Sequence, residues 1–145
     1  MAAAERYIFH LAFPVADLAA SKDFYCGVLG AGIGRENPEW LDVLLWGHQI
    51  TLHRRPDDVL PDDRRANRHF GVVLPWAEWQ ALADRLRRNG VAFLEEPHVL
   101  LAGTPEEQAK LYLEDPSHNV IEIKAYRDLD ATLRQHGTAY RYDRS

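Results

Sequence analysis

Residues 6–15, RYIFHLAFPV, alternate large apolar side chains (Phe9, Leu11, Phe13) with Ile8, His10 and Ala12, a period of two that predicts a strand ended by Pro14. The period then changes. In DLAASKDFYCGVLG, Leu18, Phe24, Tyr25, Val28 and Leu29 form a helical stripe that Asp17 or Ser21 can cap and Gly30 closes. Three short strands are predicted next: GIGRE, WLDVLLW and, after a turn at Gly47-His48, QITLHR. Residues 54–68, RRPDDVLPDDRRANR, are charged and broken by proline, as a linker or exposed loop would be.

The same order then returns. HFGVVL reads as a strand with Phe70, Val72 and Leu74 on one face, and WAEWQALADRLRRNG as an amphipathic helix closed by Gly90. VAFLEEPHVL, QAKLYLED and VIEIKAY supply three more strands, with turns around Gly103 and at DPSHN. His10 to Gly30 spans 20 residues and His69 to Gly90 spans 21, so the chain is βαβββ written twice. The expected fold is α+β: one domain over 1–145, with module one at 6–54, a linker at 55–68, module two at 69–126 and a tail at 127–145. A short helix is predicted in the tail at DLDATLRQHG. Each module should lay its helix on one face of a four-stranded sheet, leaving the other faces to meet and enclose a cleft.

Composition narrows the class. The chain has 145 residues, 46% of them hydrophobic, and 17 basic against 22 acidic residues give a net charge of -5. That balance argues against nucleic acid or an anionic membrane as partner. The single cysteine, Cys26, has no internal disulfide partner. No basic region leads into a long apolar run at the N-terminus, and no stretch approaches the roughly 20 apolar residues of a membrane span. A cytoplasmic protein is expected.

Strand parity then selects the chemistry. If the large apolar residues cover the helices, the other face carries His10 and Ala12, then Gln49, Thr51 and His53, then His69, then Lys110 and Tyr112, and finally Glu122 between Ile121 and Ile123. Taken singly, each reads as structural: a half-exposed histidine, or a glutamate paired with Lys110 or Arg127. Taken together, His10 and His69 hold equivalent places in the two modules. Two imidazoles and a carboxylate with open positions form the triad used by non-haem Fe(II), and equally suit Mn, Zn or Ni.

With these residues in place, the chain resembles the vicinal oxygen chelate superfamily, the glyoxalase/bleomycin resistance/dihydroxybiphenyl dioxygenase-like fold. FHLAFPVADLAASKDFYCGVLG is similar to its opening, and YLEDPSHNVIEI to its close, with His118 where glycine is usual. The resemblance covers about residues 6–126. It implies that His10, His69 and Glu122 ligate a divalent metal (Fe, Mn, Ni or Zn), with Gln49 the nearest match to a fourth ligand. It also implies a small-molecule substrate bound through neighbouring oxygens, by a dioxygenase or a glyoxalase-like lyase. The alternative is a metal-free drug- or metabolite-binding protein. His53, Tyr112 and His98 are the candidate acid-base or orienting groups, and Trp40 and Trp46 could wall an aromatic pocket. Uncovered sheet faces and edges predict a homodimer; if modules pair between chains, His10 comes from one subunit and His69 with Glu122 from the other.

Overall fold

The computed structural model describes residues 7–133. The described residues form two compact units, one of 7–68 with 114–120, the other of 69–113 with 121–133. Each carries one four-stranded sheet. Arg6 and the second half of the tail helix expected at DLDATLRQHG lie outside the described residues.

In the first unit, β1 (His10–Val15) is followed by α1 (Leu18–Lys22), which runs directly into a π-helical stretch, Asp23–Val28. Then come β2 (Gly32–Asn37), β3 (Trp40–Leu45) and β4 (His48–Arg54), giving the order β1-β4-β3-β2. β1 runs parallel to β4, and the other pairs are antiparallel. The helix start is capped by Asp17, whose carboxylate accepts the Ala20 amide at 2.9 Å. Ser21 is buried and donates its hydroxyl to the Asp17 carbonyl. Val15, Tyr25, Leu41, Val43, Leu45, Ile50 and Leu52 form the core. Each large aliphatic among them contributes about 1.5–3 kcal/mol by leaving water.

Three local expectations change. β1 begins at His10 and continues through Pro14. An edge strand tolerates the missing amide, and β1 is an edge. The β3–β4 hairpin turns at Trp46-Gly47, not Gly47-His48. Both have positive φ (50° and 79°), as a two-residue turn matching the twist of the strands requires. Trp46 is therefore a turn residue.

Residues 114–120 complete this unit. Asp115 accepts the buried Tyr25 hydroxyl at 2.8 Å, Ser117 Oγ accepts the Ala16 amide, and Asn119 donates to the Pro14 carbonyl. Burial and the charge of Asp115 push the Tyr25 phenol well above its usual range. His118 sits at φ 66°, the left-handed conformation glycine adopts most easily, which explains why glycine suits that turn. Glu114 ties His118 and, from the charged linker, Arg65.

In the second unit, β5 (His69–Val73) leads into α2 (Trp76–Arg88), followed by β6 (Glu95–Leu100), β7 (Gln108–Glu114), β8 (Val120–Tyr126) and α3 (Leu129–Leu133). The order β5-β8-β7-β6 repeats that of the first sheet. Trp79, Ala83 and Leu86 are the buried stripe of α2. The Trp79 indole donates to the Ile123 carbonyl at 2.9 Å, which holds the helix over β8. Leu111, Leu113, Ile121 and Ile123 are fully buried, so the alternation read from the sequence sets the faces here.

Candidate functional site

β8 places Glu122 between two fully buried isoleucines, so its side chain emerges on the other face of the second sheet. There it meets three neighbours. Its Oε2 lies 3.2 Å from His69 Nε2, at the start of β5, and its Oε1 lies 3.5 Å from Lys124 Nζ. The Tyr112 hydroxyl, on β7, donates to the same carboxylate. Burial first, then this bond and the charge of Glu122, push the Tyr112 phenol up to about 12, so it is a proton donor throughout the physiological range. The Tyr112 ring stands edge-on to His69 with centroids 5.7 Å apart. Burial alone would lower Lys124, but bonding with Tyr126 and the charge of Glu122 outweigh it and raise the ammonium.

Gly71, two residues after His69, is required by this arrangement. A Cβ there would overlap the Glu122 carbonyl, so β5 approaches β8 closely only with glycine. The ion-pair partners expected for Glu122 were Lys110 or Arg127. Instead Lys110 pairs with Glu95 at 3.6 Å, and Arg127 pairs with Glu107 and covers the Trp76 ring at 3.7 Å. His98 is occupied within its own strand, by the Glu96 carbonyl at 2.7 Å and Glu95 at 3.3 Å.

The first unit holds the other expected residues. His10 is exposed and pairs in register with Gln49, while Ala12 pairs with Thr51. His53 has the same parity and sits half-buried opposite Trp40 on β3. A pocket of about 430 Å³ is lined by Ile8, Leu44, Gly47 and Gln49.

One residue of this face escaped the sequence reading. Asp42 on β3 is 1% exposed, and Thr51, opposite it in register, is 7% exposed. Asp42 accepts the Thr51 hydroxyl at 2.6 Å, Arg35 Nε at 2.9 Å and the Gln49 amide at 3.2 Å. Burial pushes the Asp42 carboxyl up, but those three bonds and the Arg35 charge outweigh it and hold it below the usual carboxylate range. The signal was present in WLDVLLW: Asp42 lies between Leu41 and Val43 as Glu122 lies between its isoleucines.

As donors, His69 and Glu122 suit a divalent first-row metal. Two atoms each about 2.1 Å from one ion at near-tetrahedral or octahedral angles lie roughly 3.0–3.4 Å apart, which spans the observed 3.2 Å. Among the described residues, no group of three or more His, Cys, Asp or Glu side chains is gathered closely enough to hold an ion. No helix among them is long and apolar enough to cross a membrane.

Comparison with known proteins agrees with this architecture. The family model for the Glyoxalase/Bleomycin resistance protein/Dioxygenase superfamily matches residues 7–123. A catechol-2,3-dioxygenase of Bacillus subtilis is 26% identical over 128 residues. The match takes in 85% of this chain but only 42% of that relative. A glyoxalase/bleomycin resistance protein/dioxygenase from Alicyclobacillus acidocaldarius is 30% identical, with a TM-score of 0.76 over 84% of this chain and 92% of that one. The fosfomycin resistance protein FosX of Listeria monocytogenes shares the fold at 18% identity, with a TM-score of 0.69 over 89% of this chain and 99% of its own.

Proposed function

Since the chain belongs to the Glyoxalase/Bleomycin resistance protein/Dioxygenase superfamily, we propose that it is a metal-dependent enzyme acting on a small molecule with two neighbouring oxygens, and that its reaction is a dioxygenation. The observation that carries this reading is the His69–Glu122 pair, 3.2 Å apart on the face of its sheet away from α2. His69, Glu122 and the repeat-related His10 are the metal ligands. Gln49, its amide nitrogen committed to Asp42, would offer its oxygen as a fourth. When bound, the metal supplies Lewis acidity to the substrate's paired oxygens. Tyr112 orients the Glu122 carboxylate, and in this reading His53 is the acid-base group. The likeness to a catechol-2,3-dioxygenase supports oxygen chemistry over a glyoxalase-like isomerisation. So does an amide at position 49, which cannot serve as a base. We place the protein in the cytoplasm as a homodimer.

A second reading, a metal-free binding protein, is favoured by one feature: His69, Tyr112 and Lys124 already satisfy Glu122. Elemental analysis of protein purified without chelator or affinity metal separates the two. Oxygen uptake by Fe(II)-loaded protein against a catechol panel, beside hemithioacetal isomerisation by Ni- and Zn-loaded protein, then tests the reaction. Isomerase turnover without oxygen consumption overturns the dioxygenase assignment, and silence in both arms supports the binding protein.

A further inference from the structure

β2 contains an irregularity that no packing requirement explains. Ile33 pairs with Val43 and Glu36 with Leu41, so Gly34 and Arg35 both stand opposite the single residue Asp42. Had β2 kept strict register, Arg35 would oppose Leu41 and share its buried face. The bulge turns it to the opposite face, where its Nε reaches Asp42 at 2.9 Å. Gly34 makes room for this. A Cβ there would lie 3.0 Å from Asp42 Cβ and 3.2 Å from its carbonyl oxygen.

The guanidinium is fixed from two sides. Asp42 takes Nε, and the Trp40 ring lies beneath Cζ at 5.0 Å. Asp42 is buried while the Arg35 side chain is 74% exposed, so the pair presents a cation on a buried anion. Were neutralising Asp42 the whole role, a bidentate pairing through Nε and a terminal nitrogen together would be the better one, whereas Nε alone makes the contact. Asp42 also has Thr51 and Gln49 as donors. With Nε engaged, the two terminal nitrogens remain, side by side and held in one plane. That edge matches both oxygens of a carboxylate.

We propose that Arg35, set by the β2 bulge, Asp42 and Trp40, receives a carboxylate of the substrate on the sheet face that carries His10 and Gln49. The assignment rests on the reading of this face as the substrate site. Adjacent strands lie about 4.8 Å apart, so β2 and β1 are about 14 Å apart across the sheet, and the arginine reaches back over one of those spacings. Arg35 lies in the row of Ala12, Thr51 and Asp42, two residues along the strands from that of His10, which adds about 7 Å in that direction. The resulting span of about 12 Å fits a substituted aromatic acid, with its carboxylate on Arg35 and its neighbouring oxygens toward His10. Asp42 and Trp40 are positioning residues in this scheme.

The test uses two probes that differ in charge but share a ring, 3,4-dihydroxybenzoate and its methyl ester. Binding of each is measured by calorimetry on the full chain, with metal content determined separately. Wild type should bind the acid at least tenfold tighter than the ester. Arg35→Lys keeps a cation beside Asp42 but lacks the planar edge, and should lose that preference while binding the ester unchanged. The double variant Arg35→Met with Asp42→Asn leaves neither charge unpaired and should likewise bind acid and ester equally, whatever its affinity for the ester, with a cooperative melt showing that it is folded. Equal binding of acid and ester by wild type, no binding of the acid, or a preference that survives in either variant overturns the proposal. Acid preference in metal-free protein upholds Arg35 even where the metal-dependent reading fails. Bound metal without acid preference defeats Arg35 alone.

Discussion

Replacing Thr51 by valine exchanges one hydroxyl for a methyl of nearly the same shape, at a site 7% exposed. The hydroxyl donates at 2.6 Å to Asp42, itself 1% exposed, so water cannot take over the bond. A hydrogen bond to a charged group contributes about 1.5–3 kcal/mol, which sets the expected loss near 2 kcal/mol at pH 7. For a chain of this length, unfolding entropy near 0.3 kcal/mol per degree turns that into a melting point lower by roughly 7 °C. The loss should depend on pH in a defined direction. The folded Asp42 carboxyl is held below its ordinary value, so its contribution is present above the unfolded carboxyl pKa and disappears as pH falls through the folded one. Valine removes one of the bonds that lower it. The gap between wild type and variant should therefore be full at neutral pH and narrow below about pH 4. Urea unfolding followed by circular dichroism at pH 7, 5 and 3 measures this, with an unchanged denaturant slope showing that both unfold alike. A gap under about 0.5 kcal/mol at pH 7, or one that persists undiminished at pH 3, would refute the account of Asp42.

Gly71→Ala forces a methyl into the Glu122 carbonyl and should cost about 3 kcal/mol, the upper end of overpacking; a wild-type melting curve would contradict the close approach of β5 and β8. Tyr112→Phe should remove one phenol ionising near 12 from the ultraviolet pH titration, and a missing step near 10 instead would show that Tyr112 is not bonded to Glu122. Ile8, Phe9 and Leu44 are exposed to 48%, 60% and 50%, and the proposed homodimer should cover them; light scattering that reports a monomer across micromolar concentrations would remove that expectation.

Alternation made much of the fold legible. It identified Glu122, the apolar sets of β7 and β8, and the repeat of one helix and four strands, because a strand buried on one face must write its parity into the sequence. It would also have found Asp42, whose isolation among Leu41, Val43 and Leu45 carries the same message. Other features leave no such trace. The β2 bulge is a shift of register between strands, and Gly34 alone hints at it. Trp46 and His118 adopt positive φ in turns where glycine or asparagine would have signalled the conformation. The π-helical turn Asp23–Val28 shares its apolar stripe with an α-helix, so periodicity does not separate the two. Lys124, two residues along β8, shares the face of Glu122 by the same parity and was legible in the sequence, whereas the choice of His69 over Lys110 depends on strand order and register, which parity does not give.

The first unit is finished by residues that arrive late. Tyr25 bonds to Asp115 across 90 positions, Ala16 to Ser117 across 101, and Pro14 to Asn119 across 105. During synthesis, the amino-terminal sheet emerges while the buried Tyr25 hydroxyl still lacks its acceptor. That hydroxyl and the Ala16 amide cannot be satisfied as in the native state until most of the chain has left the ribosome. Contacts this distant also slow folding, since the closure of long loops precedes any gain from them. A chain cut after the linker would inherit the same deficit permanently: a complete set of strands, with a buried phenol and no carboxylate to accept its hydrogen bond.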